Sequence, residues 1–202
     1  MLNFCSLDLS AFYFDIRKDT LYCDETKSTK RIACIKLLCL ILDVLLKWFA
    51  PILSFTTEEI FRILNKDKNL SIHLETFPTI PSKWRDEKLF QKWDKLKTVR
   101  NVANAAIEVK RSNKEIGSSL EADIKIYLNE EYLQYIKGVN LSEYIITSKA
   151  EAQPMIKDDK LFKLDNVDNV GILVKKAEGE KCSRCWKILE DSCERKNCGL
   201  KN

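Results

Sequence analysis

Half of the chain's eight cysteines stand in one short stretch, Glu178–Gly199, EGEKCSRCWKILEDSCERKNCG. Cys182 and Cys185 form a CxxC; Cys193 and Cys198 form a looser C-x4-C after seven intervening residues. A two-residue gap lets one tight turn aim two thiolates at one ion, and structural zinc takes four such soft ligands in a tetrahedron. The expectation is a structural Zn2+ held by Cys182, Cys185, Cys193 and Cys198. Four thiolates around zinc leave a net charge of about −2, which Lys181, Arg184, Lys187, Arg195 and Lys196 are placed to offset. A metal-free stretch and a redox CxxC are the alternatives. The redox reading needs a reactive thiolate at a helix start, whereas this CxxC follows a strand pattern and has a second pair close by.

Elsewhere the chemistry is sparse. Cys5, Cys23, Cys34 and Cys39 lie in the helical first half and read as small buried hydrophobes. The single histidine, His73 in LSIHLETFP, has no nucleophile nearby in a recognisable setting and reads as a surface or strand residue. Neither GxxxxGK[ST] nor GxGxxG occurs, and five scattered glycines do not build a phosphate cradle. No catalytic residue is assigned.

Cations mixed with aromatic residues point to a polyanion. Trp186 follows Cys185 directly, flanked by Arg184 and Lys187. A rigid knuckle that presents an indole between cations suits stacking on unpaired bases and gripping phosphates. The alternative is that Trp186 packs the knuckle onto the preceding domain. Arg17, Lys18, Arg100, Lys110 and Arg111 are further candidates to track a phosphate backbone, or else solvated charges. The net charge is only +4, but Lys181–Asn202 carries six Lys/Arg against three acids.

These residues need a scaffold. A chain of 202 residues, 45% hydrophobic and 32% charged, can build a core without staples. Leu7, Ala11 and Phe14 follow helical spacing, and a polar turn at Asp24–Lys30 ends that segment. The apolar run Ile32–Ala50 is interrupted by Lys36, Asp43 and Lys47, which share one helical face. This predicts an amphipathic helix over 28–49, stopped at Ala50-Pro51, and no membrane span. LSFTTEEIFRIL predicts a helix capped by Thr56 or Thr57. FPTIPSKWRDE marks a linker. A second long helix is expected over 86–113, with Leu89, Trp93, Leu96, Val99, Ala103 and Ile107 on its apolar line. Past Gly117 the period changes: EADIKIYL alternates as a half-buried strand, a short helix follows near 130–137, and strands are expected at 144–147 and 170–175. The predicted class is α+β, a helical bundle over 1–80, a long helix with a small α+β unit over 81–177, and a zinc knuckle over 178–202. The opening residues carry Asp8 and no cationic region, so they do not read as a targeting segment. The expected location is cytoplasmic, where thiols stay reduced.

SAFYFDIRKDTLYCD followed by WFAPILSFTTEEIF resembles the anticodon-binding helical domain of class I aminoacyl-tRNA synthetases of the isoleucine, valine and leucine group. EIGSSLEADIKIYL and KAEGEKCSRCW are similar to the bacterial isoleucyl-tRNA synthetase family in particular, and the resemblance runs from Phe4 to Cys185. It implies a helical domain and a zinc module that grip the anticodon arm of an isoleucine tRNA, with Cys182 and Cys185 as the first ligand pair. The family's second pair is a CxxC at a longer distance, so Cys193 and Cys198 rest on spacing alone. The ATP-dependent catalytic domain and the editing domain of that family have no counterpart in these residues. The expectation is therefore the C-terminal piece of a longer ligase, unable to aminoacylate alone. A free-standing RNA-binding module and a fragment that docks on a separate catalytic half are the alternatives.

Overall fold

A computed structural model describes residues 1–67, 69–191, 193 and 195. The chain divides into two compact units: Met1–Glu25 with Glu87–Asn202, and Thr26–Asp86.

The first unit is an α+β layer. It opens with a helical run, Phe4–Phe14, wound with π-type hydrogen bonds, that continues into α1, Asp15–Cys23. The wider winding breaks the apolar line expected from Leu7, Ala11 and Phe14: Leu7 and Phe14 are exposed, and Leu9, Phe12 and Ile16 turn inward instead. The long helix α4, Glu87–Ser112, lies where it was expected; α2 (Thr29–Phe49) and α3 (Ser54–Leu64) precede it in the chain and belong to the second unit. α4 buries Leu96, Val99, Val102, Ala103, Ala106 and Ile107, while Leu89, at the start of the expected line, stays exposed.

α4 covers a four-stranded sheet. Its strands are β1 (Ala122–Leu128), β2 (Lys149–Pro154), β3 (Phe162–Leu164) and β4 (Val167–Lys176), in the order β2-β1-β4-β3. β1 runs parallel to β2 and antiparallel to β4, and β3 is antiparallel to β4. The register sets Ile124 opposite Val174, Ile126 opposite Ile172 and Leu128 opposite Val170. Alternation places all of these on the α4 face, where each contributes roughly 1.5–3 kcal/mol by burial.

Between β1 and β2 run α5 (Glu130–Tyr135) and α6 (Leu141–Ile145). The strand expected at 144–147 is thus corrected to the end of a short helix. The Asn140 side chain caps α6 by accepting from the Glu143 N–H at 3.1 Å, and Ile146 at φ 64° ends it. β2, whose half-buried residues are Ala150, Ala152 and Gln153, and the short β3 lack the β-branched richness that marks a strand, so neither was anticipated.

The second unit holds α2 (Thr29–Phe49) and α3 (Ser54–Leu64), followed by short 3-10 turns at Ile72–Leu74 and Ser82–Trp84. Its core is Leu46, Ala50, Phe61 and Ile72, with Ile60 packed against it. α3 begins earlier than expected: Leu53 occupies the cap position, and the Thr57 hydroxyl donates back to the Leu53 carbonyl at 3.0 Å. Glu58 instead reaches across the unit, accepting from Arg62 at 2.6 Å, the Ser71 hydroxyl at 2.9 Å and the Ile72 N–H at 3.0 Å. Cys34 is buried as expected, whereas Cys39 is exposed, because the apolar residues of α2 extend well beyond the face the unit covers. His73 lies exposed on the turn. Among the described residues, no helix is long and apolar enough to cross a membrane.

Candidate metal knuckle and nucleic-acid interface

A two-stranded hairpin, β5 (Glu180–Lys181) and β6 (Ile188–Leu189), carries the CxxC in its turn. The turn is closed twice: the Cys182 N–H donates to the Lys187 carbonyl at 2.9 Å, and the Trp186 N–H to the Cys182 carbonyl at 3.0 Å. Gly179, at φ 119°, lets the two strands meet, since any Cβ there would fall onto the Leu189 carbonyl.

The sulfurs of Cys182, Cys185 and Cys193 lie within 4.8 Å of one another, with Cys185 and Cys193 4.0 Å apart. Zn–S bonds of ~2.3 Å in a tetrahedron put neighbouring sulfurs about 3.8 Å apart. The cluster therefore fits a soft metal ion by donor type and spacing. Cys198 lies outside the described residues. Burial, the adjacent Cys182 and the charge of Cys193 push the Cys185 thiol up to about 11, against a backbone hydrogen bond at Lys187 that favours the thiolate. Such a dehydrated thiol group needs a cation to ionise.

α1 is the seat of the knuckle. Arg184 donates to the Tyr22 carbonyl at 3.0 Å, and Cys23, buried, packs among the knuckle cysteines with its sulfur 3.9 Å from the Arg184 carbonyl. Arg195 forks onto Asp19, with Nη1 to Oδ1 at 2.7 Å and Nη2 on Oδ2, and its Nε lies 3.4 Å from Asp24. Partial burial opposes the Asp19 charge, but the Arg195 guanidinium overcomes it and holds the carboxyl below its ordinary range. On the other side the Ile188 N–H donates to the Ser148 hydroxyl at 2.6 Å, tying the hairpin to the sheet.

Trp186 sits at φ 62° and is 60% exposed. Left-handed backbone is unfavourable for an aromatic residue, so the fold of the turn imposes it. The indole borders a mostly apolar cleft of about 380 Å³ between α1 and the knuckle, lined also by Ile16, Tyr22, Leu120, Ile146 and Lys187. Tyr22 is exposed as well. Arg184, Lys187 and Lys18 stand around this cleft, together with Asp15, Asp19 and Glu143, and Lys18 pairs with Asp15 at 3.4 Å.

The other expected cations sit apart from it or are engaged. Arg17 pairs with Glu143 at 2.8 Å. Arg100 is inside the unit, its side chain 11% exposed, donating to the Tyr144 carbonyl at 3.0 Å and to Asp15 at 2.8 Å. Lys110 and Arg111 form surface pairs with Glu115 and Glu108 at the far end of α4. Asp19, Tyr22, Cys23 and Asp24 were missed as parts of the site. Nothing local in the sequence signals that a helix end will meet residues some 160 positions later.

The sequence places the chain in a known class. The family described as the anticodon-binding domain of tRNA ligase matches residues 1–126, and the chain belongs to that family. Among whole proteins it is similar to the isoleucine–tRNA ligase of Pelagibacter ubique, 51% identical over 195 residues, which are 96% of this chain and 20% of that protein. The isoleucine–tRNA ligases of Bradyrhizobium diazoefficiens (45% over 188 residues, 93% of this chain and 19% of that one) and Rhodopseudomonas palustris (44% over 190 residues, 92% and 19%) are similar too. The chain spans about a fifth of the length of these relatives.

Proposed function

We propose that this chain is the tRNA-binding portion of a cytoplasmic isoleucine–tRNA ligase, and that it grips the anticodon arm of an isoleucine tRNA. The observation that carries the reading is the exposed indole of Trp186 beside a mostly apolar cleft, with Arg184 and Lys187 on either side of it in the chain and Lys18 on the cleft's α1 wall. An unpaired base stacks on such a ring, worth about 1–3 kcal/mol per base, while the cations meet phosphates. Arg17, Lys110 and Arg111 would add weaker, sequence-independent attraction. Arg100 contributes instead by fixing α1 and α6 to α4. Cys182, Cys185 and Cys193 would hold a structural Zn2+, with Cys198 as the fourth ligand, and the ion would supply folding energy to the turn that aims Trp186. In the whole ligase, which couples ATP to the attachment of isoleucine, this portion would serve by positioning the RNA.

Docking on a separate catalytic half is supported by one observation. In the second unit the apolar side chains of Ile52, Phe55, Ile63 and Leu74 are exposed, Phe55 to 93%, and exposed apolar groups are what a partner polypeptide would cover.

The test is binding of the zinc-loaded chain to an isoleucine tRNA and to an anticodon-swapped tRNA over a salt series. The expected result is a preference for the matching anticodon that persists near physiological salt. Equal binding to both, lost steeply as salt rises, would refute specific recognition.

A further inference from the structure

The knuckle is held to the helical body at a few named points, and they converge on the end of α1. Arg184, inside the CxxC turn, reaches the Tyr22 carbonyl. Cys23 packs against the thiols from beneath. Arg195, two residues past Cys193, lays its guanidinium between the carboxylates of Asp19 and Asp24. The first contacts hold the CxxC turn; among the described residues, the Arg195 contact is the one that, beside the sulfur contacts of Cys193, holds the segment that brings Cys193 to it.

We propose that Asp19 is a positioning residue: its two-pronged pair with Arg195 closes the thiol cluster across the metal position and, through Cys185, whose sulfur lies 4.0 Å from that of Cys193, steadies the adjoining Trp186 indole. This rests on the RNA-binding reading only for its consequence, since the clamp itself is a matter of geometry. The fork matters because parallel N–H···O bonds fix the guanidinium in orientation as well as distance. Side-chain exposure is 24% for Asp19 and 27% for Arg195, so water screens the pair only in part. Asp24, 3.4 Å from the Arg195 Nε, supports the guanidinium from its other edge. The clamp links the two halves of the cysteine stretch through a helix that is already anchored, because Arg100 ties Asp15 to α4 and Arg17 and Thr20 meet Glu143 on α6. Without it, the segment bearing Cys193 is joined to the rest of the knuckle by sulfur contact and chain connectivity alone among the contacts described.

The experiment uses the full chain with Asp19→Asn, Arg195→Gln and the double variant. Zinc transfer to a colorimetric chelator is timed, and the 19F resonance of Trp186 is followed after 5-fluorotryptophan labelling, assigned with Trp186→Phe. Each single variant is expected to release zinc about tenfold faster, the scale for losing one partner of a partly buried charge pair, and to shift the Trp186 resonance. The double variant should be no worse than Arg195→Gln alone, because the two changes remove one interaction. Unchanged release and an unmoved resonance in the single variants would overturn the clamp, as would effects that multiply in the double. Affinity for an isoleucine tRNA is the separate arm. If the parent chain does not bind that RNA, the functional reading fails while zinc release and the resonance still judge the clamp. If it binds and Asp19→Asn shifts the resonance without lowering affinity, the role in steadying the indole is overturned.

Discussion

Trp186 offers a perturbation in which stability and binding should part company. The residue is 60% exposed, so about two-fifths of an indole surface near 200 Å² is covered, worth about 2 kcal/mol at 25 cal/mol per Å². Its φ of 62° is a conformation that any residue with a Cβ resists, at roughly 1–2 kcal/mol. Trp186→Ala loses the covered surface and keeps the backbone strain, so the knuckle should weaken by about 2 kcal/mol. Trp186→Gly loses the same surface but relieves the strain, and after the larger chain entropy of glycine it should end about 1 kcal/mol more stable than the alanine variant. This inverts the usual order of Ala and Gly. Urea midpoints of the zinc-loaded variants, followed by far-ultraviolet circular dichroism and by zinc release, measure the gap. For RNA the variants should be equal, each losing about 1–3 kcal/mol, since neither carries a ring to stack. An alanine variant as stable as the glycine variant would refute the strain argument. RNA affinity unchanged in both would refute the stacking role.

Further outcomes are open to measurement. Gly179→Ala should destabilise the hairpin by more than about 1 kcal/mol, because both the positive φ and the Leu189 carbonyl oppose a Cβ; loss of zinc retention at ordinary temperature reports it. The hydrogen bond from Arg62, with those from Ser71 and Ile72, holds the Glu58 carboxyl below its ordinary value despite some desolvation. Its contribution to stability is therefore full above the unfolded glutamate value near 4.3 and is lost as pH falls through the lower folded one. A carbon-13 carboxyl titration should place the Glu58 midpoint below the ordinary glutamate range, and Glu58→Gln should flatten the acid limb of the stability profile. Cys182→Ser and Cys185→Ser should each abolish stoichiometric zinc binding and the ordered knuckle while leaving the α4–sheet core folded, read from metal content and amide spectra. Full zinc content in either variant would remove that cysteine from the ligand set.

Local pattern carried a large part of the fold. The apolar positions of α4, the alternation of β1 and the stop at Ala50-Pro51 are consequences of period and backbone chemistry, which neighbouring residues determine between them. The CxxC was legible for the same reason, since two thiols three positions apart in a tight turn meet wherever the turn is placed. Where the period itself was altered, as in the π-wound opening run, or where a cap overrode composition, as at Asn140, the pattern misled. β2 was hidden because a strand of alanine, glutamate and glutamine owes its place to pairing with β1.

The site divides along the same line. The sequence by itself determined the types present: soft ligands at metal spacing, an indole beside them and cations around both. Only the tertiary structure decided which cations are engaged in the interior, as Arg100 is, and which stand at the cleft, as Arg184 and Lys187 do. It alone brought Asp19 and Cys23 to the knuckle, because a contact across more than 160 residues depends on packing of the elements between them and leaves no periodic trace in the chain.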